Sequence, residues 1–154
     1  MSRREQIVMT ADEVREFLGE EKVANVASIG PHGRPHLVPL WYVPEEETLV
    51  TWTYATSQKV ANLRRLAQAT VLVEAGNFYE ELRGVSFESD VDIVDDPDRI
   101  AAIGAAITLR YTGSAEVAVA ASQFVRVQAT KRVGLVFTPT SVTSWDHRKL
   151  GGTY

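Results

Sequence analysis

A chain of 154 residues, 45% hydrophobic and 23% charged with a net charge of -4, has the make-up of one globular domain, residues 1–154, and lacks the cation excess that grips nucleic acid. The absence of cysteine excludes disulfides, thiolate metal sites and a thiol nucleophile, and fits a reducing cytoplasm, the compartment expected here. No window approaches the roughly 20 apolar residues that cross a bilayer, so no membrane association is expected.

In chain order, Thr10-Ala-Asp-Glu13 matches a capping box, and Val14, Phe17 and Leu18 follow at helical spacing, which predicts a helix over 11–19 stopped by Gly19. The β-prone run 23–29 and a turn over 30–33 lead into a second strand from about Arg34, a hairpin. Pro35 and Pro39 cannot donate to a ladder, which puts that strand at an edge with free backbone groups beside Val38 to Trp41. A turn over 44–47, a third strand over 48–54 and a helix over 57–67 come next, the helix facing Val60, Leu63 and Leu66 inward. A fourth strand spans 70–74, and a long, bent strand 83–94 suits a barrel. Asp96-Pro97 caps a helix that Gly113 ends. Ser114 caps another, with Val117, Ala121, Phe124 and Val125 facing inward, and a last strand over 132–137 precedes a tail. The order is not the regular strand–helix alternation of a doubly wound sheet and predicts an antiparallel barrel with helices outside.

The chemistry concentrates where the third strand meets its helix. Ser57 and Lys59 place a hydroxyl and an ammonium at a helix N-terminus, with Asn62, Arg64 and Arg65 one to two turns on, and such a terminus favours an anion such as phosphate. An isolated Ser-x-Lys is more often a cap with solvated cations. Here Thr51 and Thr53 alternate with Trp52 and Tyr54, so one strand face offers hydroxyls to a ring or ribityl chain while the other packs. A phosphorylated cofactor is therefore expected. Trp41, Tyr79 and Trp145 are candidates to stack on a planar ring. His32, His36 and His147 show no metal-ligand spacing, and no metal is expected. No nucleophile elbow, dinucleotide fingerprint or Walker motif occurs.

These residues resemble the pyridoxamine-phosphate-oxidase-like split barrels, and within them the flavin/deazaflavin oxidoreductases that use coenzyme F420. The carriers are Gly33-Arg-Pro-His-Leu-Val-Pro-Leu-Trp41, the Ser57-x-Lys59-x-x-Asn-Leu-Arg-Arg65 run, Leu82-Arg-Gly-Val85, and the tail Ser144-Trp-Asp-His-Arg-Lys-Leu-Gly-Gly152. The resemblance implies an α+β fold, a six-stranded antiparallel split β-barrel of the FMN-binding type with flanking helices. It also implies a homodimer with cofactor sites at the subunit interface. Carried over, Ser57 and Lys59 hold the cofactor phosphate, Val38, Pro39, Leu40 and Trp41 line the isoalloxazine-like ring, Thr51 and Thr53 sit beneath it, and Tyr79 and Trp145 close the site from the partner. Some relatives have Arg where this chain has Ser57, which removes a cation that Arg34 or Arg65 could replace. The implied reaction is hydride transfer between reduced F420 and a conjugated small-molecule acceptor of the tetrapyrrole, quinone or enone class, with no protein proton donor identifiable. The alternatives are an FMN-dependent oxidase and a non-catalytic flavin or haem module with His36 or His147 as axial ligand.

Overall fold

The computed structural model describes residues 2–151, so Gly152 of the tail motif lies outside the described residues. Two short helices open the chain, α1 (Arg3–Gln6) and α2 (Ala11–Glu20), each closed by a reciprocal capping box, Ser2 with Glu5 and Thr10 with Glu13. Gly19 does not stop α2; it lies within the last turn.

The next five strands are β1 (Val23–Ile29), β2 (Pro35–Trp41), β3 (Val43–Glu45), β4 (Thr48–Tyr54) and β5 (Gln68–Ala75), with α3 (Gln58–Arg65) between the last two. β6 (Arg83–Val94) and β7 (Arg132–Asp146) complete a single antiparallel sheet in the order β2-β1-β5-β6-β7-β4-β3. The strands at its two ends, β2 and β3, are joined only through Tyr42, and one apolar cluster draws side chains from β1, β4, β5, β6 and β7. The sheet is therefore rolled around that cluster, a split barrel. Phe17 of α2 and Val60 and Leu63 of α3 belong to the same core, whereas Leu66 is exposed rather than inward.

The sheet has seven strands where six were expected. The extra one is β3, because Pro44 and Glu45 pair with Leu49 and Thr48 and leave only Glu46 and Glu47 for the turn, with Glu46 at φ 50. β7 is also far longer than the run 132–137. The polar stretch from Thr138 to Ser144 reads as a tail in composition, yet β6 runs for 12 residues and its backbone groups need a partner along their whole length. Pro139 pairs at Ser89, where the register shifts between Glu88 and Ser89, the place in a ladder where a missing N–H is tolerated.

Outside the barrel lie α4 (Pro97–Thr112), α5 (Ala115–Ala120) and α6 (Ser122–Ala129). Asp96 accepts the Arg99 N–H at 2.8 Å and Gly113 ends α4 at φ 67. Ile103 and Ile107 of α4 form a second small core with Val50 of β4. The helix expected after Ser114 is broken into α5 and α6 at Ala121, and Val125 is buried while Val117 and Phe124 face solvent.

Candidate functional site

β4 delivers the chain to α3 through a tight turn in which the Ser57 N–H donates to Tyr54 O at 3.0 Å. Ser57 adopts the extended N-cap conformation but caps nothing. Its Oγ is buried and has no hydrogen-bond partner among the described residues. Two residues on, half-buried Lys59 donates from Nζ to Thr53 Oγ1 at 3.0 Å, and among the described residues no carboxylate pairs with it. Burial pushes its ammonium pKa below the ordinary lysine value. A desolvated cation, an orphan hydroxyl and the uncapped start of a helix thus fall within three consecutive residues, and each is of the kind that an anion satisfies.

The neighbouring polar residues serve the fold. Asn62 is 0% exposed; its Nδ2 donates to Ser28 Oγ at 3.1 Å and its Oδ1 accepts from Gln58 Nε2 at 2.9 Å. It locks α3 onto β1. Arg64 pairs with Asp95 at 3.0 Å and Arg65 donates to Ile29 O, so neither guanidinium is idle. Thr51 and Thr53 share one strand face, but that face is turned into the barrel, opposite Leu135 and Val133. Their hydroxyls are engaged: Thr51 donates to Trp41 O at 2.5 Å, and Thr53 accepts from Lys59. They buttress the strand and the cation.

Along the edge strand β2, Val38 and Leu40 are half-buried on the core side, while Pro39 and Trp41 lie on the outer face. Trp41 is 56% exposed, yet one face of its indole stacks on Tyr111 of α4, ring centroids 4.3 Å apart and planes 12° apart. Arg132 of β7 is held between Trp52 and Tyr54, its guanidinium 4.6 and 4.1 Å from the two ring centroids. Neither Tyr111 nor Arg132 carries a local signal: the first meets Trp41 across 70 residues of chain, and the second meets Tyr54 only through the β4–β7 register.

Tyr79 and Trp145 are not brought to this cluster. Tyr79 packs on His147, ring centroids 4.4 Å apart, and the Trp145 ring covers Gly84, where an added Cβ would lie 2.2 Å from it. Gly84 is near the start of β6, whereas the segment after α3 docks at Val91, whose N–H donates to Ala67 O at 2.9 Å. Those positions are separated by on the order of 20 Å along a strand rising about 3.3 Å per residue. A cleft of about 900 Å³ lies elsewhere again, between α1, α2, the β3–β4 turn and β7, and of the expected site residues it touches only Trp145. Its walls are mainly apolar, with Arg4, Arg15, Glu46 and Glu47 at the rim. The anion-seeking groups at the start of α3 do not line this cleft. Among the described residues no three His, Asp or Glu gather as metal ligands, and no helix is long and apolar enough to cross a membrane.

Comparison with known proteins agrees with this architecture. The sequence model of the pyridoxamine 5'-phosphate oxidase family matches residues 10–146, and no curated protein matches the chain. A conserved hypothetical protein of Mycobacterium tuberculosis superposes with a TM-score of 0.89 at 37% identity, over 100% of this chain and 95% of that one. A protein described as an F420 reductase gives 0.65 at 21% identity, over 84% of this chain and 94% of its own. The haem storage protein HutZ from Vibrio cholerae gives 0.67 at 16%, over 88% and 94%. The last two show a shared fold between proteins whose names point to different ligands. With its split barrel, its Ser57–Lys59 junction and a family match over nearly its whole length, the chain belongs to the pyridoxamine 5'-phosphate oxidase family.

Proposed function

We propose that this protein is a homodimeric, cytoplasmic oxidoreductase that binds coenzyme F420 and passes a hydride between the deazaflavin and a conjugated small-molecule acceptor. The observation that carries the reading is the junction of β4 and α3, where the orphan Ser57 hydroxyl and the Lys59 ammonium stand at an uncapped helix start and, among the described residues, no carboxylate neutralises the ammonium. A phosphate fits that donor set, because a buried hydroxyl and a desolvated cation each gain a charge-assisted hydrogen bond from it. Ser57 and Lys59 would hold the phosphate, and Pro39 and Trp41 on the outer face of β2 would lie against the ring. Thr51 and Thr53 act from behind, one tying Trp41 O to β4 and the other orienting Nζ of Lys59. The deazaflavin, when bound, supplies the two-electron chemistry. The task of the protein is then to orient the ring and shield it from water, and solvent can supply the proton.

The separation of Tyr79 and Trp145 from the Lys59 cluster favours a site shared between subunits, in which these aromatics approach the ring from the partner copy. Titration of the purified protein with F420 and, separately, FMN, followed by fluorescence quenching, tests the reading. Micromolar F420 binding that Lys59→Ala weakens by about tenfold, roughly 1.4 kcal/mol, is expected. Selective FMN binding moves the protein to the oxidase branch, and binding of neither cofactor would falsify the reading.

A further inference from the structure

An indole at a sheet edge with more than half its surface in water is ordinarily free to change rotamer, and ordering it is part of what a stacked ligand must overcome. Trp41 is not free in this way. Tyr111 covers one face of its ring, and Tyr111 is itself held in place. Its hydroxyl accepts the Tyr42 N–H at 2.8 Å and directs its single proton to the carbonyls of Lys22 and Tyr42. Lys22 Nζ lies 5.7 Å and the Arg110 guanidinium 6.0 Å from the Tyr111 ring centroid. Arg110 is fixed in turn by the carbonyls of Leu18, at 3.0 Å, and Glu21, at 2.7 Å. The last turn of α4, the end of α2 and the β2–β3 corner therefore meet at one aromatic pair, which leaves the opposite face of Trp41 presented to solvent at the edge strand.

We propose that Tyr111 is a positioning residue that fixes Trp41 as a preassembled stacking platform for a planar heteroaromatic ring. This rests on the cofactor reading above and deepens it: the phosphate end is read by Lys59, and the ring end by a Trp41–Tyr111 pair built on α4. The platform suits an electron-poor fused ring, because offset stacking on electron-rich indole is favourable for such a partner. Tyr111 does not touch the ligand; its contribution passes entirely through Trp41.

A double-mutant cycle on the full chain separates this role from a merely structural one. F420 and FMN affinities are measured for wild type, Tyr111→Leu, Trp41→Leu and the double variant, with near-UV circular dichroism as the control for folding. Tyr111→Leu is expected to weaken cofactor binding about tenfold in the wild-type background and by less than about twofold when Trp41 is already leucine. A loss that persists undiminished without Trp41 overturns the proposal, as does a folded Tyr111→Leu protein that binds like wild type. Should the leucine variant not fold, the same cycle with Tyr111→Phe decides, because it keeps the ring and removes only the hydroxyl anchors. A loss of about two- to fivefold confined to the Trp41 background is then expected, and no loss overturns the proposal. Wild type that binds neither cofactor removes the cofactor reading and the platform together. Binding that Lys59→Ala weakens and the Tyr111 variants leave intact removes the platform alone.

Discussion

A half-buried ammonium with only a threonine hydroxyl for company is costly for the folded chain, and Lys59 is kept in that state. Burial disfavours its charged form, so its folded pKa lies below the ordinary 10.5. Between the depressed value and the ordinary one, the unfolded chain binds a proton that the folded chain does not. This contribution to stability therefore rises with pH across that window and is least favourable below it. Ligand binding has the opposite sign, because only the charged form attracts phosphate. Cofactor affinity is expected to decline as pH climbs through the depressed Lys59 pKa, starting below 10.5. Lys59→Arg, which stays charged throughout the accessible pH range, should abolish that decline. Superimposable pH profiles for the two proteins would show that Lys59 is not the group read. Ser57 and Lys59 were legible in the sequence because their placement is local, a strand running into a helix cap. Asn62 was not, because what turns it from a surface polar residue into a buried clamp is Ser28, 34 residues away.

At the scale of elements, patterns with short-range causes are found where they were expected, among them the α2 capping box, the edge position of β2 and the Asp96-Pro97 start and Gly113 end of α4. The strands 23–29, 48–54 and 83–94 are also found at those bounds. What escaped detection depends on partners: the second half of β7 is a strand because β6 is long, and β3 exists because Leu49 and Thr48 offer it a ladder. Alternation paired Thr51 with Thr53 correctly, but which face turns inward is set by the curl of the whole sheet. The packing of α4 on β4 gives a measurable consequence. Gly104 sits in the middle of α4, and a Cβ there would lie 2.4 Å from the Trp52 ring. Alanine would improve helix propensity by about 1 kcal/mol, while overpacking costs about 1 to 3 kcal/mol. The clash should win, because Trp52 is also held by the Arg132 guanidinium, 4.6 Å from its ring centroid. Urea denaturation of Gly104→Ala is expected to show a net loss of about 1 kcal/mol. An unchanged or raised midpoint would mean that Trp52 has room to move.

For the whole molecule, the outer face of the β1–β2 hairpin is an exposed apolar surface that ends in an edge strand. Cross-strand pairing sets Val23 beside Trp41, Ala27 beside Leu37 and Ile29 beside Pro35. Val23, Ile29, Leu37 and Trp41 are all exposed there, Leu37 to 64%. A largely apolar face on an unprotected edge strand, interrupted only by Asn25 beside Pro39, is an aggregation hazard unless something covers it. A second copy covering Val23, Ile29 and Leu37 accounts for the face and leaves the outer side of the Trp41 ring to the ligand. It would also let Tyr79 and Trp145, which one chain packs on His147 and Gly84 rather than on its own Lys59, approach the ring bound by the other. The 17.0 kDa chain is thus expected to run at twice its mass in size-exclusion chromatography with light scattering. Leu37→Glu, which places a carboxylate in the middle of that face, should shift it to the monomer at micromolar concentration while leaving its far-UV circular dichroism intact. Because half of the ring's enclosure then departs with the partner, cofactor affinity should fall together with the dimer, and raising protein concentration should restore both in parallel. A folded Leu37→Glu monomer that binds cofactor as tightly as wild type would place the whole site within one chain, and a wild-type monomer would leave the apolar face to another occupant.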